Sequence, residues 1–152
     1  MMSSKLDRAF RGTHYSPRRH DDVLGRLSVL VVDDDVSAAD LITDEIRDRG
    51  YAADAAYDGQ HALSALASRR YGVIVSDFAM PLVGGAELLE RVRGNPRLDA
   101  GFILVSSHPE SVVQEAATGY DAFVRKPFDF DALVGLIESV FMRRNRPGLA
   151  PR

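Results

Sequence analysis

Four groups of polar side chains each follow a short apolar segment of the chain, and their types suit phosphate chemistry. An acidic run, Asp33–Asp35, follows the first segment, and Asp77, Ser106 and Lys126 follow three others. A carboxylate can act as a nucleophile or hold a metal ion, while a hydroxyl and an ammonium can neutralise charge on a transferring phosphoryl group. The set therefore predicts phosphoryl transfer, provided that the fold brings the four positions together.

The carboxylates in this set indicate a metal site. Asp33, Asp34 and Asp77 would repel one another unless a cation joined them. Because the ligands are oxygen atoms, with no histidine or cysteine among them, they favour a hard ion such as Mg²⁺. We therefore expect Mg²⁺ as the cofactor, with an aspartate as the nucleophile that forms an aspartyl phosphate.

Each of these positions also has a purely structural interpretation. The acidic run could cap a helix and complement its dipole. Asp77 could cap the loop that follows it, Ser106 could be a turn hydroxyl, and Lys126 could be a solvated cation. The use of lysine favours function at the last position: the chain has 17 arginines and only two lysines, so a compact point charge at Lys126 suits a contact with phosphate.

The apolar segments predict the elements that must position these groups. Five short strands are expected, of which the alanine-rich 51–56 is included only because strands and helices otherwise alternate: 27–32, 51–56, 73–77, 102–105 and 122–124. This alternation, with short connections and right-handed crossovers, predicts an α/β fold with a doubly wound parallel sheet and five helices. The flavodoxin-like strand order 2-1-3-4-5 fits best. Its switch point places Asp33, Asp34 and Asp77 in one crevice.

Local signals predict where the helices begin and end. Gly50 is expected to end the first helix and Gly119 the fourth. A turn at Asp58-Gly59 is expected before the second helix. The last helix is expected to start near Asp129.

The 152 residues predict one domain with two basic ends. Residues 1–26 lack apolar periodicity and are expected to be a flexible leader, 27–142 form the domain, and 143–152 are expected to be a disordered basic tail. Absence of cysteine excludes a disulfide or thiolate site. The chain shows no signal or membrane segment, so we expect a cytoplasmic protein. Residues 27–142 carry 9 basic and 19 acidic side chains, and we therefore expect no direct DNA binding.

Taken together, the motifs around the four polar groups resemble the receiver domain of two-component response regulators. The resemblance covers about residues 27–141. The motifs occur in the order and at the approximate spacing of that family, and as a set they are highly specific. They are Val31–Asp35, Ser76–Pro81 with Gly85, Val105–Ser107 and Phe123–Phe128.

The resemblance implies a phosphoacceptor and a metal site. Asp77 would accept the phosphoryl group, and Asp33, Asp34 and the backbone carbonyl of Ala79 would hold Mg²⁺ together with it. Ala79 departs from many relatives because its side chain is not polar. This difference puts the lifetime of the phosphoryl group in question, while no chemical group needed for phosphorylation is missing.

The resemblance also implies the parts of a switch. Ser106 would be the switch hydroxyl, and Lys126 the phosphate-binding lysine, with a cis peptide bond between Lys126 and Pro127. Phe123 would be the aromatic side chain that rotates when the domain is phosphorylated.

The function implied is that of a single-domain response regulator. A histidine kinase or phosphotransfer protein would phosphorylate Asp77 with Mg²⁺, and the protein would then bind a downstream protein target or relay the phosphoryl group. Slow hydrolysis would be an autophosphatase-type activity and not that of a dedicated enzyme. The alternative is a non-phosphorylated, receiver-like protein-interaction module. A dedicated hydrolase would need a cap insertion for which the loops are too short, and the acidic first loop disfavours a flavin-binding protein.

Overall fold

The structure, a computed structural model, describes residues 23–145. After a short turn at residues 23–26, five strands and five helices alternate along the chain. They are β1 (Ser28–Val32), α1 (Val36–Asp48), β2 (Ala52–Ala56), α2 (Gly59–Ser68), β3 (Val73–Asp77), α3 (Gly85–Gly94), β4 (Gly101–Ser106), α4 (Glu110–Ala116), β5 (Ala122–Arg125) and α5 (Phe130–Arg144). No helix in this part of the chain combines the length and the apolar character that crossing a membrane requires.

The strands form one parallel sheet in the order β2-β1-β3-β4-β5, which confirms the predicted topology. The central strands are rich in valine, isoleucine and leucine, as expected for strands whose two faces are both covered by helices. In the register between β1 and β3, Val32 lies opposite Ser76. Asp33 directly follows β1 and Asp77 is the last residue of β3, so the fold brings them to the same edge of the sheet.

The sheet separates two apolar cores, because successive side chains of each strand point to opposite faces. On one face, α1 and α5 cover alternate residues of the strands, including Val29, Val31 and Val75. On the other face, α2, α3 and α4 cover the intervening residues, such as Leu30 and Ile74. The strands that carry the polar groups are therefore packed between helices on both faces.

The alanine-rich edge strand β2 forms despite its weak β propensity. Its five residues, Ala52–Ala56, pair in register with Ser28–Val32 of β1. Its partner α1 contributes Arg47, whose Nε donates to the carbonyl of Ala53 at 2.8 Å. Tertiary pairing thus outweighs local preference at this edge.

The described part of the chain extends past both predicted limits of the domain. Val23 and Leu24, assigned to the leader, pack against the core beneath α1 and α5 because they are apolar. At the other end, α5 continues to Arg144 instead of stopping at residue 142. The rest of the predicted leader and tail, 1–22 and 146–152, lies outside the described residues.

The extension of α5 is stabilised by an ionic network at the amino-terminal edge of the sheet. Arg144 lies 3.0 Å from Asp99 and 3.2 Å from Asp121. Asp121 also accepts from Arg93 at 2.8 Å and from the backbone N–H of Phe102 at 2.7 Å. These contacts join the ends of α3 and α5 to the beginning of β4 and β5.

Two internal boundaries also differ from the sequence prediction. Asp58 is the N-cap of α2, with its carboxylate accepting from the N–H of His61 at 2.6 Å, and Gly59 is the first helical residue. The chain therefore bends at Tyr57 and Asp58, one residue before the predicted position. The fourth helix ends at Ala116, and Gly119 follows three residues later with φ of 88°. In contrast, Gly50 (φ 92°) follows the end of α1, as predicted.

Candidate functional site

The carboxylates of Asp33 and Asp34 follow the end of β1 and lie at the carboxyl edge of the sheet. The N–H of Asp33 donates to the carbonyl of Ala56 at 3.1 Å, which continues the pairing with β2 and buries the Asp33 side chain. Asp35 is the N-cap of α1, and its carboxylate accepts from the N–H of Ala38 at 3.2 Å. The capping interpretation therefore applies to Asp35, whereas Asp33 and Asp34 contribute to the site.

Asp77 is the last residue of β3, and backbone contacts fix the end of that strand. The N–H of Phe78 donates to the carbonyl of Val105 at 2.8 Å, and the N–H of Gly85 donates to the carbonyl of Phe78 at 3.0 Å. A Cβ atom on Gly85 would lie only 2.5 Å from the carbonyl oxygen of Asp77. Glycine is therefore needed where α3 begins, and the Asp77 side chain, 11% exposed, is held in the crevice.

The structure brings the three predicted carboxylates together. Asp33, Asp34 and Asp77 each offer an oxygen, and these oxygens lie within 4.8 Å of one another. Burial raises the pKa of Asp77, the charge of Asp33 raises it further, and Lys126 opposes both effects. An all-oxygen donor set in which the charges repel fits a hard divalent cation. Ala79 lies in the loop after β3 with its side chain exposed.

Lys126 connects two of the carboxylates across the crevice. Its Nζ lies 3.4 Å from a carboxylate oxygen of Asp33 and 3.4 Å from one of Asp77. Its backbone N–H donates to the carbonyl of Ser106 at 2.8 Å, and the peptide bond to Pro127 is cis, as the resemblance implied. Burial lowers the pKa of Lys126, but Asp77 and Asp33 together outweigh burial and raise it. One ammonium among three carboxylates leaves the site acidic.

The predicted switch residues lie on β4, which neighbours β3, and on the edge strand β5. Ser106 ends β4 with its side chain buried, and its Oγ accepts from the N–H of His108 at 3.0 Å. Within residues 23–145, this hydroxyl makes no hydrogen bond to the carboxylates. Phe123 lies on β5, opposite Leu104 of β4, and its side chain is half-buried against the core beneath α2, α3 and α4.

Two features near Asp77 were not found from the sequence. Gly85 was recognised as part of a motif, but its close approach to Asp77 depends on how α3 packs. Leu82, in the loop between β3 and α3, has a φ of 66° and a side chain 98% exposed. Neither property of Leu82 has a signal in the sequence.

The fold is flavodoxin-like, and carboxylates and a lysine lie at the switch point between β1 and β3. These features define a class of α/β proteins with an acidic site at the sheet edge that is suited to phosphate chemistry. A sequence model of the response regulator receiver domain matches residues 29–138, and the chain belongs to this family. Phosphorylation of an aspartate with Mg²⁺ is the general function of the family. Its members interact with histidine kinases or phosphotransfer proteins and with downstream targets. The alternative of a non-phosphorylated interaction module is not favoured.

Relatives and solved structures support this assignment. The chain is 32% identical over 120 residues to the probable chemotaxis protein CheY of Rhizobium etli, covering 76% of this chain and 93% of that protein. It is 28% identical over 116 residues to response regulator ArlR of Staphylococcus aureus, covering 76% of this chain and 53% of ArlR, about half its length. The structure of TrrA from Thermotoga maritima, in complex with Mg²⁺-BeF, is similar with a TM-score of 0.68 and 29% identity, covering 75% of this chain and 98% of TrrA.

Proposed function

We propose that this protein is a phosphorylation-dependent signalling protein in which Asp77 accepts the phosphoryl group. Asp33, Asp34 and Asp77, with the backbone carbonyl of Ala79, would hold Mg²⁺. The observation that carries the proposal is the geometry around Asp77: two more carboxylates lie within 4.8 Å, and the Lys126 ammonium is 3.4 Å away. When bound, Mg²⁺ supplies positive charge to the phosphoryl oxygens.

The side chains of the site have separate roles in the transfer. A carboxylate oxygen of Asp77 attacks the phosphorus atom, and the electron pair of the breaking bond goes to the leaving group of the donor. Lys126 favours the ionised form of Asp77, which is the nucleophile, and its ammonium can then contact the phosphoryl oxygens. The donors that the family uses are histidine kinases and phosphotransfer proteins, and we assign a donor of this kind to this chain.

The response would begin at Ser106. Because its Oγ accepts from the N–H of His108, the hydroxyl hydrogen can be donated to a phosphoryl oxygen without losing that contact. A shift of Ser106 toward Asp77 would change the space next to β5, where Phe123 packs, and so alter the surface of the last strand and helices. The changed surface would bind a downstream protein target, unless the phosphoryl group is relayed or slowly hydrolysed.

Labelling with a small donor tests the assignment. The chain is incubated with acetyl phosphate and Mg²⁺, and intact mass spectrometry measures the addition of one phosphoryl group. Asp77→Asn should abolish the addition, whereas the control Asp44→Asn, which alters an exposed carboxylate on α1, should leave it unchanged. Removal of Mg²⁺ with a chelator should also abolish it. Addition that persists in Asp77→Asn would place the acceptor elsewhere.

A further inference from the structure

The loop of residues 78–84, between β3 and α3, is fixed by packing at three places. The loop begins directly after Asp77. At its other end, Gly85 packs against the carbonyl of Asp77, so both ends of the loop lie beside this residue. Between these ends, Val83 occupies the space beside Gly59 at the start of α2, where a Cβ atom would lie 2.5 Å from the Cβ of Val83. The loop therefore forms a rigid part of the rim around Asp77.

Leu82 occupies an unfavourable position in this rigid loop. Its φ of 66° places a bulky residue in the left-handed region, where glycine and asparagine are much better tolerated. Its side chain is 98% exposed and so contributes no burial to the fold. Asparagine or glycine would maintain the same loop at lower cost, so stability gives no reason for leucine here. Strained residues of this kind concentrate at functional sites.

We propose that Leu82 is the apolar contact through which this site recognises a protein phosphodonor, one that carries an apolar side chain beside its phosphohistidine. The inference rests on the proposed function of Asp77. A protein that places a phosphohistidine against Asp77 must cover the surrounding rim, including this loop, whereas a small donor does not. The neighbouring loop after β1 is acidic, with Asp34 and Asp35 both exposed, and Leu82 supplies a contact that does not depend on charge.

Leu82 is a positioning residue and takes no part in the chemistry itself. In the transfer, an O–P bond forms at the carboxylate of Asp77 while the N–P bond of the phosphohistidine breaks. The electron pair of that bond returns to the imidazole nitrogen of the donor. Burial of the Leu82 side chain against the donor stabilises the complex in which this exchange occurs.

The experiment compares two kinds of donor. Phosphorylation of Asp77 is timed with acetyl phosphate, and separately with each purified, phosphorylated kinase or phosphotransfer domain encoded by the source organism. Leu82→Asn should lower the second-order rate with the protein donor by about tenfold, as expected for loss of a central apolar contact. The rate with acetyl phosphate should not change. Leu82→Met, which keeps an apolar side chain, should retain transfer from the protein donor.

The same variants exclude an effect on folding. Leu82→Asn should unfold at the same or a higher urea concentration than the unaltered protein, because asparagine tolerates the left-handed region. Equal transfer by Leu82→Asn and the unaltered protein would overturn the inference, as would equal losses with both donors or no transfer from any protein donor. If acetyl phosphate fails to label the unaltered chain, the proposed function of Asp77 is also wrong.

Discussion

Substitution of Gly85 by alanine tests how the end of β3 is held. The new Cβ atom would lie 2.5 Å from the carbonyl oxygen of Asp77, 2.9 Å from Cα of Phe78 and 3.1 Å from a methyl group of Leu104. Real Cβ atoms essentially never approach other atoms to less than 3.0 Å. Because the two shortest contacts are to backbone atoms, rotation of a side chain cannot relieve them, and either α3 or the end of β3 must move.

The cost follows from these contacts. Overpacking in a rigid environment costs up to about 3 kcal/mol, and two backbone contacts place Gly85→Ala near that value. Alanine recovers at most about 1 kcal/mol, the difference in helix preference from glycine in a helix interior, because Gly85 is the first residue of α3. We therefore expect a net loss of about 2 kcal/mol in the free energy of unfolding. Gly135→Ala is the matched control: this glycine lies within α5, and a Cβ atom added there would meet nothing within 4 Å, so alanine should stabilise by about 0.5–1 kcal/mol.

Urea unfolding followed by circular dichroism measures both variants. A loss of about 2 kcal/mol should lower the midpoint for Gly85→Ala by about 1 M, with an unchanged slope. Labelling from acetyl phosphate should also slow by more than the fraction of folded protein accounts for, because the Asp77 carbonyl is displaced. If Gly85→Ala and the unaltered protein have the same midpoint, the end of β3 moves freely, and the close approach of α3 does not position Asp77.

Three other changes give further tests. Burial, with a hydrogen bond to Asp54, raises the pKa of Tyr71 to about 12 from 10.0. The unfolded chain therefore releases this proton first, and stability is lost as pH rises from 10 toward 12; urea midpoints across this range should show the loss, and Tyr71→Phe should reduce it. Lys126→Arg should keep phosphorylation but weaken the response to it, because a planar guanidinium cannot replace one compact ammonium between Asp33 and Asp77. The response is measured as amide chemical-shift changes in β4 and β5 on phosphorylation, and equal changes in the variant and the unaltered protein would contradict this. Ala79→Asn should shorten the lifetime of the phosphorylated state, since an amide can orient the attacking water and a methyl group cannot. If the rate of phosphoryl loss is unchanged in Ala79→Asn but slower in His108→Ala, the water is held by the loop after β4 instead.

The sheet could be predicted because its strongest signals are local. The buried runs that become β1, β3 and β4 are continuous and β-branched, and each ends at a polar residue that marks the carboxyl edge. Even the weak strand Ala52–Ala56 followed from the alternation of the other elements. The boundary at Arg144 could not be predicted in the same way, because it depends on an ionic network whose partners are distant in sequence. The N-cap at Asp58 is a local signal, but it was interpreted as part of a turn.

The residue types of the site were predictable, but their arrangement was not. The order of the strands was enough to place Asp33 beside Asp77. That Lys126 contacts both carboxylates, while Asp35 caps α1 instead of joining them, depends on side-chain geometry across three loops. The conformation of Leu82 is likewise set by the packing of its neighbours against α2 and α3.

The ionic network around Asp121 has a mechanical consequence for β5. Asp121, just before the strand, is bonded to Phe102 and to two arginines, so the amino end of β5 is clamped. The other end continues into Lys126, whose contacts are those that phosphorylation of Asp77 would replace. Side-chain contacts thus hold β5 at the edge of the sheet far from the site, whereas its other end is held by backbone pairing with β4 and by Lys126. A displacement that starts at Lys126 should therefore decrease along the strand toward Asp121, so motion would reach the start of α5 while the last turn of that helix, held by Arg144, stays in place.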